Sequence, residues 1–178
     1  FEILDEGLMC EAYDFAQKEL VAKDSTSLQL TALQTYQDLI KFHFQDPEPF
    51  ALTHVDIDRL KFTLQNAIFE NKNEIYIEVL KNTAESLKHH EVSALYGYEI
   101  AQHLHNEGNS YDPQNQSEVQ WKQKEALEIC EEVIANYPDS YGAEKCKALQ
   151  SRIQAQSLQL TTENFLPINQ TARLLVNY

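Results

Sequence analysis

Two cysteines with symmetric spacing are the residues of this 178-residue chain best placed for covalent chemistry. Cys130 lies eight residues before Pro138, and Cys146 lies eight residues after it. If Pro138 marks the turn of an antiparallel helix pair, both cysteines lie about 12 Å from that turn, side by side. Small neighbouring residues can then bring the two Cα atoms to the roughly 5.5–6 Å that a disulfide requires. The spacing predicts a disulfide between Cys130 and Cys146, and the alternative is a pair of buried free thiols.

Histidines are the second group with a capacity for chemistry. His89 and His90 are adjacent, and His103 and His105 are two residues apart. Metal sites on helices use ligands three or four residues apart on one face, so neither pair alone forms such a site. A site assembled from both pairs would make the chain a small metal-dependent enzyme, and surface or helix-end histidines are the simpler interpretation. His43 is interpreted as a core or groove histidine on an apolar stripe.

The remaining candidates have structural interpretations. Asp56, Asp58 and Arg59 could suggest acid–base chemistry. A helix starting near Thr53 would place both acids in its first turn, where the helix dipole favours negative charge. Cys10 is interpreted as a core residue of the first helix, because a lone cysteine without a placed base is no nucleophile.

Composition and motif content exclude several classes of protein. The net charge of −14 is the opposite of the basic surface that nucleic-acid binding requires, and no apolar run is long enough to enter a membrane. The sequence has no Gly-rich phosphate loop and no GxSxG, CxxC or HExxH motif. We therefore assign no catalytic, cofactor-binding or metal-binding residue, and we predict that the chain is not an enzyme.

The elements that position these residues are helices. Apolar residues recur at helical spacing and predict an all-α fold of about seven antiparallel helices. The predicted helices cover residues 2–20, 26–44, from 53, after 73, 93–108, 117–137 and from 139 or 140 to 156. Gly108 is expected to be a C-terminal cap, and Ser117 with Gln120 has the spacing of a capping box. The glutamates at 125, 128, 131 and 132 are expected on the solvated face of the sixth helix.

The spacing of apolar residues changes after residue 156. Apolar and polar residues alternate in 158–162 and again in 172–178, on either side of Pro167, which predicts one or two short strands. We expect residues 1–156 to form the helical domain. Residues 157–178 are expected to begin a truncated β domain.

The fifth and sixth predicted helices resemble a tetratricopeptide unit, a helix pair of about 34 residues that stacks into a superhelix. The positions that carry this resemblance are Ile100, Ala101, Leu104, Gly108, Ala126, Cys130, Val133 and Pro138. Ala101 and Ala126 would let the two helices approach closely. The connection between them is roughly a dozen residues longer than the motif allows, so residues 109–123 must bulge or extend the sixth helix.

A second resemblance covers more of the chain. Residues 36–43, 56–62, 130–146 and 172–178 are similar to the N-terminal helical region of large bacterial alpha-2-macroglobulin-like proteins. The resemblance implies an exported protein, periplasmic or lipid-anchored in the cell envelope through a segment outside this sequence, whose tail enters the first macroglobulin β domain. Many members of that family trap proteases through a thioester. This chain has no Cys-x-Glu-Gln run, so no trapping residue is carried over.

These resemblances favour a non-enzymatic helical scaffold that binds protein. The expected partners are its own downstream β domains or an envelope protein or protease, with Trp121 and Tyr111 as candidate contacts. Trp121 is expected at the edge of the core, or as an aromatic anchor for a partner. A spacer that only positions the following β domains is the alternative function. An exported location would favour oxidation of Cys130 and Cys146.

Overall fold

A computed structural model describes residues 2–21, 27–111 and 119–155, together with the backbone of two short strands. The helices are α1 (Ala12–Gln17), α2 (Leu28–His43), α3 (Phe50–Asn66), α4 (Lys72–Ser86), α5 (Ser93–Gly108), α6 (Lys122–Asn136) and α7 (Tyr141–Ile153). The strands β1 (Gln159–Thr162) and β2 (Leu174–Asn177) pair antiparallel, with Leu160 opposite Val176. The all-α class with seven helices is confirmed for the helical part.

The N-terminal segment differs from the predicted continuous helix over residues 2–20. Asp5 accepts a hydrogen bond from the backbone N–H of Gly7 at 2.9 Å, and a single 3-10 turn follows at Glu6–Leu8. Ile3 is completely buried and forms a parallel bridge with Ala67 at the end of α3. The prediction is wrong because a local aspartate–backbone bond competes with the helix and because Ile3 pairs as a strand residue instead.

Two helix starts also differ from the prediction. α3 begins at Phe50 after Pro49, so Thr53 is a fully buried interior residue, not the N-cap. Proline fixes φ near the helical value, which favours a helix start immediately after it. α6 begins at Lys122 with no side-chain cap, so the predicted capping box does not start it. Ser117 lies outside the described residues.

The start of α7 is as predicted. The Ser140 hydroxyl accepts a hydrogen bond from the backbone N–H of Ala143 at 3.1 Å. This bond satisfies one of the free donors at the helix start. The helix therefore begins directly after the Pro138 turn, and α6 and α7 form the antiparallel pair that the cysteine spacing requires.

α5 is the central helix, because α4, α6 and α7 all pack against it. Two glycines permit this packing. A Cβ at Gly97 would lie 2.5 Å from Cγ2 of Val133, and one at Gly142 would lie 2.4 Å from the backbone carbon of Ala94. Any larger residue would force α6 or α7 away from α5.

Three other small residues complete the contact between α5 and α6. Ala101 and Ala126 are completely buried, in agreement with their predicted packing role. Gly108 is the last residue of α5, and Asn109 occupies the C-cap, so the predicted glycine cap is wrong. A Cβ at Gly108 would lie 3.1 Å from the backbone nitrogen of Gln123. This glycine is required by the close approach of α6.

Candidate functional site

A groove lies between α4 and α6, with α5 at its base. It consists of two adjoining cavities of about 650 and 570 Å³, which share Lys81, Ile129 and Glu132. At one end lie Glu74 and Lys122, each in the first turn of its helix. The two helices that form the walls, α4 and α6, are therefore parallel in chain direction.

The other end of the groove is closed by a hydrogen bond between its walls. Tyr137, at the C-terminus of α6, donates its hydroxyl proton to the backbone carbonyl of Lys88 at 2.7 Å. Lys88 lies two residues after the end of α4. This bond fixes the separation of the two helices at that end.

The base of the groove is apolar. Ile100 and Leu104 of α5 lie at the bottom, while Ile77 and Ile129 face in from the two walls. Ile77 and Ile129 are partly exposed, so a bound molecule can contact them directly. Burial of apolar surface of this kind is the main favourable term in protein association.

The rim of the groove is acidic. Three lysines line it, at positions 81, 88 and 122, against six glutamates, at positions 74, 78, 85, 125, 128 and 132, so the lining carries a net charge of 3 − 6 = −3. The glutamates at 125, 128 and 132 are exposed as predicted, yet they form one wall of a groove. The exposed Glu131 does not line it.

Some of these charges pair with each other and some do not. Lys122 lies 3.8 Å from Glu125 and 3.7 Å from Glu107 at the open end of the groove. Among the residues whose side chains are described, no Lys, Arg or His forms an ion pair with Glu78 or Glu132. The two walls therefore present uncompensated negative charge to whatever enters between them.

The two predicted disulfide cysteines are adjacent in the structure. Cys130 and Cys146 are completely buried, free thiols that belong to one core cluster, where α6 packs against α7. The hydrogen bond with Cys130 and the burial of the group raise the pKa of the Cys146 thiol. The predicted proximity is therefore observed, and the disulfide itself stays a prediction.

The histidine pairs lie at opposite ends of α5, separated by about 15 Å of helix between Ser93 and His103. His90 contacts Glu48 at 3.1 Å, and His105 contacts Gln123 at 2.7 Å. Across the described parts of the chain, no group of three or more His, Cys, Asp or Glu side chains is arranged to hold a metal ion. The site assembled from both pairs does not form.

Two histidines have environments that the sequence did not indicate. His103 packs 5.2 Å from the Tyr76 ring and 3.5 Å from Glu107, and burial lowers the pKa of its imidazole. His43 is the last residue of α2, and its Nδ1 lies 2.7 Å from Asp46. His43 is partly buried and lies outside the core, where it pairs with Asp46 at a helix end, so the interpretation as a core histidine is wrong.

Asp56 and Arg59 are not surface acid and base groups. They form an ion pair within α3 in which neither side chain is exposed. Asp56 is the seventh residue of the helix, so the dipole explanation is wrong for it. Tyr96 of α5 donates its hydroxyl proton to the other Asp56 oxygen at 3.0 Å, and its own pKa is raised by burial and by that carboxylate. Asp58 is exposed, as expected of a surface acid.

The buried pair holds the N-terminal segment in place. Arg59 donates to the backbone carbonyls of Leu8 at 3.2 Å and Cys10 at 2.8 Å, and its guanidinium stacks 4.6 Å from the Phe15 ring centre. The amide of Gln37 in α2 donates to the carbonyl of Phe15 at 2.9 Å in the same way. The cluster is closed to solvent and organises the fold.

Trp121 and Tyr111 lie on the surface, on either side of residues 112–118, which fall outside the described part. Trp121 is 61% exposed and Tyr111 is 38% exposed. The expectation that Trp121 covers the edge of the core is wrong, because it precedes α6 and points into solvent. Its role as an aromatic anchor stays a prediction.

The groove was not predicted from the sequence. Its walls come from α4 and α6, which are separated in the chain by the whole of α5. The two unpaired glutamates resemble any solvated residues when each helix is considered alone. Only the helix packing brings Glu78 and Glu132 to the same cleft.

Comparisons with protein-family profiles, with curated proteins and with solved structures find no match for this chain. The groove geometry is therefore the strongest guide to function.

Proposed function

We propose that this chain is a non-enzymatic helical interaction module whose groove between α4 and α6 binds a protein partner. The observation that carries this proposal is the combination of an apolar base and an acidic rim in one cleft, formed by Leu104 and Ile129 below Glu78 and Glu132. Small-molecule sites are usually more enclosed and have few charged groups. Protein interfaces combine an apolar centre with a polar, solvated rim.

The arrangement of α5, α6 and α7 supports a tetratricopeptide-like superhelix as the underlying architecture. α7 packs against both preceding helices, as the first helix of a following repeat would. Gly97 and Gly142 allow the same close approach that small residues provide in such repeats. Stacked helix pairs create extended surfaces on which proteins bind.

We also propose that the module belongs to a large exported protein of the alpha-2-macroglobulin-like type, located in the periplasm or anchored in the cell envelope. The similarity of residues 36–43, 56–62, 130–146 and 172–178 supports this context, and so does the β1–β2 pair after the helices. No described helix combines the length and apolar character needed to cross a membrane. The sequence following Tyr178 tests the proposal, because repeated β-sandwich domains are expected there and further helical repeats would contradict it.

Site-specific photo-crosslinking in cells that make the natural protein tests the groove. A photoreactive amino acid at position 78 should crosslink to a discrete partner or to a downstream domain. The same group at position 131, exposed on α6 but outside the groove, is the matched control. Equal labelling from both positions, or none from position 78, would favour a spacer that only positions the following β domains.

A further inference from the structure

We infer that the segment held in the groove between α4 and α6 is basic and carries apolar side chains, such as a lysine-rich stretch interrupted by leucines. This inference rests on the proposed function and adds the chemistry of the partner. The lining has a net charge of −3, and Glu78 and Glu132 lie on opposite walls without an ion-pair partner among the described side chains. Complementary charge across an interface selects the partner and raises the association rate.

The acidic rim is unfavourable for the isolated helices. Glu74 and Glu78 are four residues apart on α4, as are Glu128 and Glu132 on α6. Like charges at this spacing destabilise an isolated helix slightly. Glu74 lies in a first turn, where the helix dipole offsets part of that cost, but Glu78 and Glu132 lie beyond it. Local rules are broken in this manner mainly at functional sites.

The apolar base of the groove determines the second property of the bound segment, which is its apolar side chains. Ile77, Ile129 and Leu104 offer apolar contacts between the charged walls. A ligand that carries charge alone, such as a polyamine, would leave these side chains uncovered. A segment whose leucines point to the base and whose lysines point to the walls satisfies both surfaces.

The dimensions limit the length of the bound segment. The base extends from Ser93 to Leu104, about 16 Å along α5. About five residues span this distance in an extended strand at roughly 3.3 Å each. About eleven residues span it as a helix. A ten-residue peptide therefore spans the base fully when extended and nearly all of it as a helix.

The test uses two synthetic ten-residue peptides with identical leucines, one with four lysines and the other with glutamines in their place. Titration calorimetry at low salt should give about tenfold tighter binding of the lysine peptide, since two or three exposed ion pairs supply roughly that factor. The preference should shrink at high salt, because screening weakens exposed charge pairs.

Two double variants test whether the preference for the lysine peptide arises in the groove. Glu78→Gln with Glu132→Gln should remove the preference, whereas Asp58→Asn with Glu131→Gln removes the same charge elsewhere and should keep it. Thermal unfolding monitored by circular dichroism verifies that both double variants are folded. Loss of preference in the control, or its persistence in the groove variant, would overturn the inference.

Other outcomes separate this inference from the proposed function. Equal binding of both peptides, weakened by Ile129→Asn, would refute the basic partner while keeping a protein-binding groove. If spermidine and the lysine peptide compete equally well for the groove, the groove recognises charge alone. That result would refute the apolar part of the inference. Failure of both peptides would refute the inference, and crosslinking at position 78 would then decide the proposed function independently.

Discussion

Asp56 and Arg59, one turn apart in α3, form an ion pair from which solvent is completely excluded. Both partners have further bonds, because Tyr96 donates to Asp56 and the carbonyls of Leu8 and Cys10 accept from Arg59. These hydrogen bonds satisfy most of the remaining groups of the pair, which helps a buried pair to be tolerated, although Arg59 Nε has no partner among the described residues. The pair therefore connects α3, α5 and the N-terminal segment at one point.

Replacement of Arg59 by Met should destabilise the protein by about 3–5 kcal/mol, because it leaves a buried carboxylate without its partner. Chemical denaturation measures the loss. Asp58→Asn, on the exposed side of the same helix, should change stability by less than about 0.5 kcal/mol. In the double variant with Asp56→Asn, the cost should be smaller than the sum of the single costs. Additive costs would show that the pair is not coupled.

Cys130 and Cys146 should form a disulfide when the protein is purified under oxidising conditions. Both thiols are buried in the same core cluster, and the burial of the Cys146 thiol beside Cys130 raises its pKa. Mass spectrometry after alkylation of the unfolded, unreduced protein should find label on Cys10 alone. The bridge should add about 3 kcal/mol of stability by closing a short loop. Label on all three cysteines would refute the disulfide.

Gly97 and Gly142 lie where α5 contacts its neighbouring helices. The stability lost on replacing Gly97 should be partly recoverable by a second substitution, whereas the loss at Gly142 should not. Gly142→Ala should destabilise by about 1–3 kcal/mol, because the new Cβ would meet the backbone of Ala94, which cannot repack. Gly97→Ala should be costly alone, because its Cβ would meet the Val133 side chain. Adding Val133→Ala should recover part of the stability that Gly97→Ala loses. Thermal melts compare these three variants with the natural protein, and full tolerance of Gly142→Ala would contradict the packing.

The protein should lose stability as the pH falls below the ordinary histidine pKa of 6.5, in part because of His103. Burial lowers the pKa of His103 in the folded state, against the opposing effect of Glu107. The unfolded chain therefore binds the proton first, and the contribution of the neutral imidazole is complete above pH 6.5 and declines below it. Denaturation between pH 7 and 5 should show a shallower loss for His103→Asn.

The control for this prediction is the exposed His54. His54→Asn removes a histidine from the exposed side of α3 and should leave the pH dependence unchanged. If both histidine variants show the slope of the natural protein, His103 does not contribute to the pH response.

The sequence predicted best the features that depend on neighbouring residues. The periodicity of α2 and α5 and the serine that starts α7 are local signals, and the structure agrees with them. The symmetric spacing of Cys130 and Cys146 also needs only a turn between two helices. Each of these predictions requires knowledge of fewer than about twenty consecutive residues.

Features that depend on distant contacts were not predicted. The spacing of Asp56 and Arg59 is typical of an exposed pair, and their burial results from a segment about fifty residues earlier in the chain. Gly97 and Gly142 carry no local signal, because their role depends on which helix lies opposite. The groove was missed for the same reason, since its two walls come from helices that are not consecutive.

The anchoring of the N-terminal segment has a consequence for how the protein is made. A ribosome releases Leu8 and Phe15 early, but Arg59 and the bridge partner Ala67 emerge about fifty residues later. Until then the apolar side chains of that segment have no native surface to cover them, and closing so long a loop slows their docking. The segment around Leu8 and Phe15 is therefore synthesised well before the helix that covers it, and its docking must wait for α3.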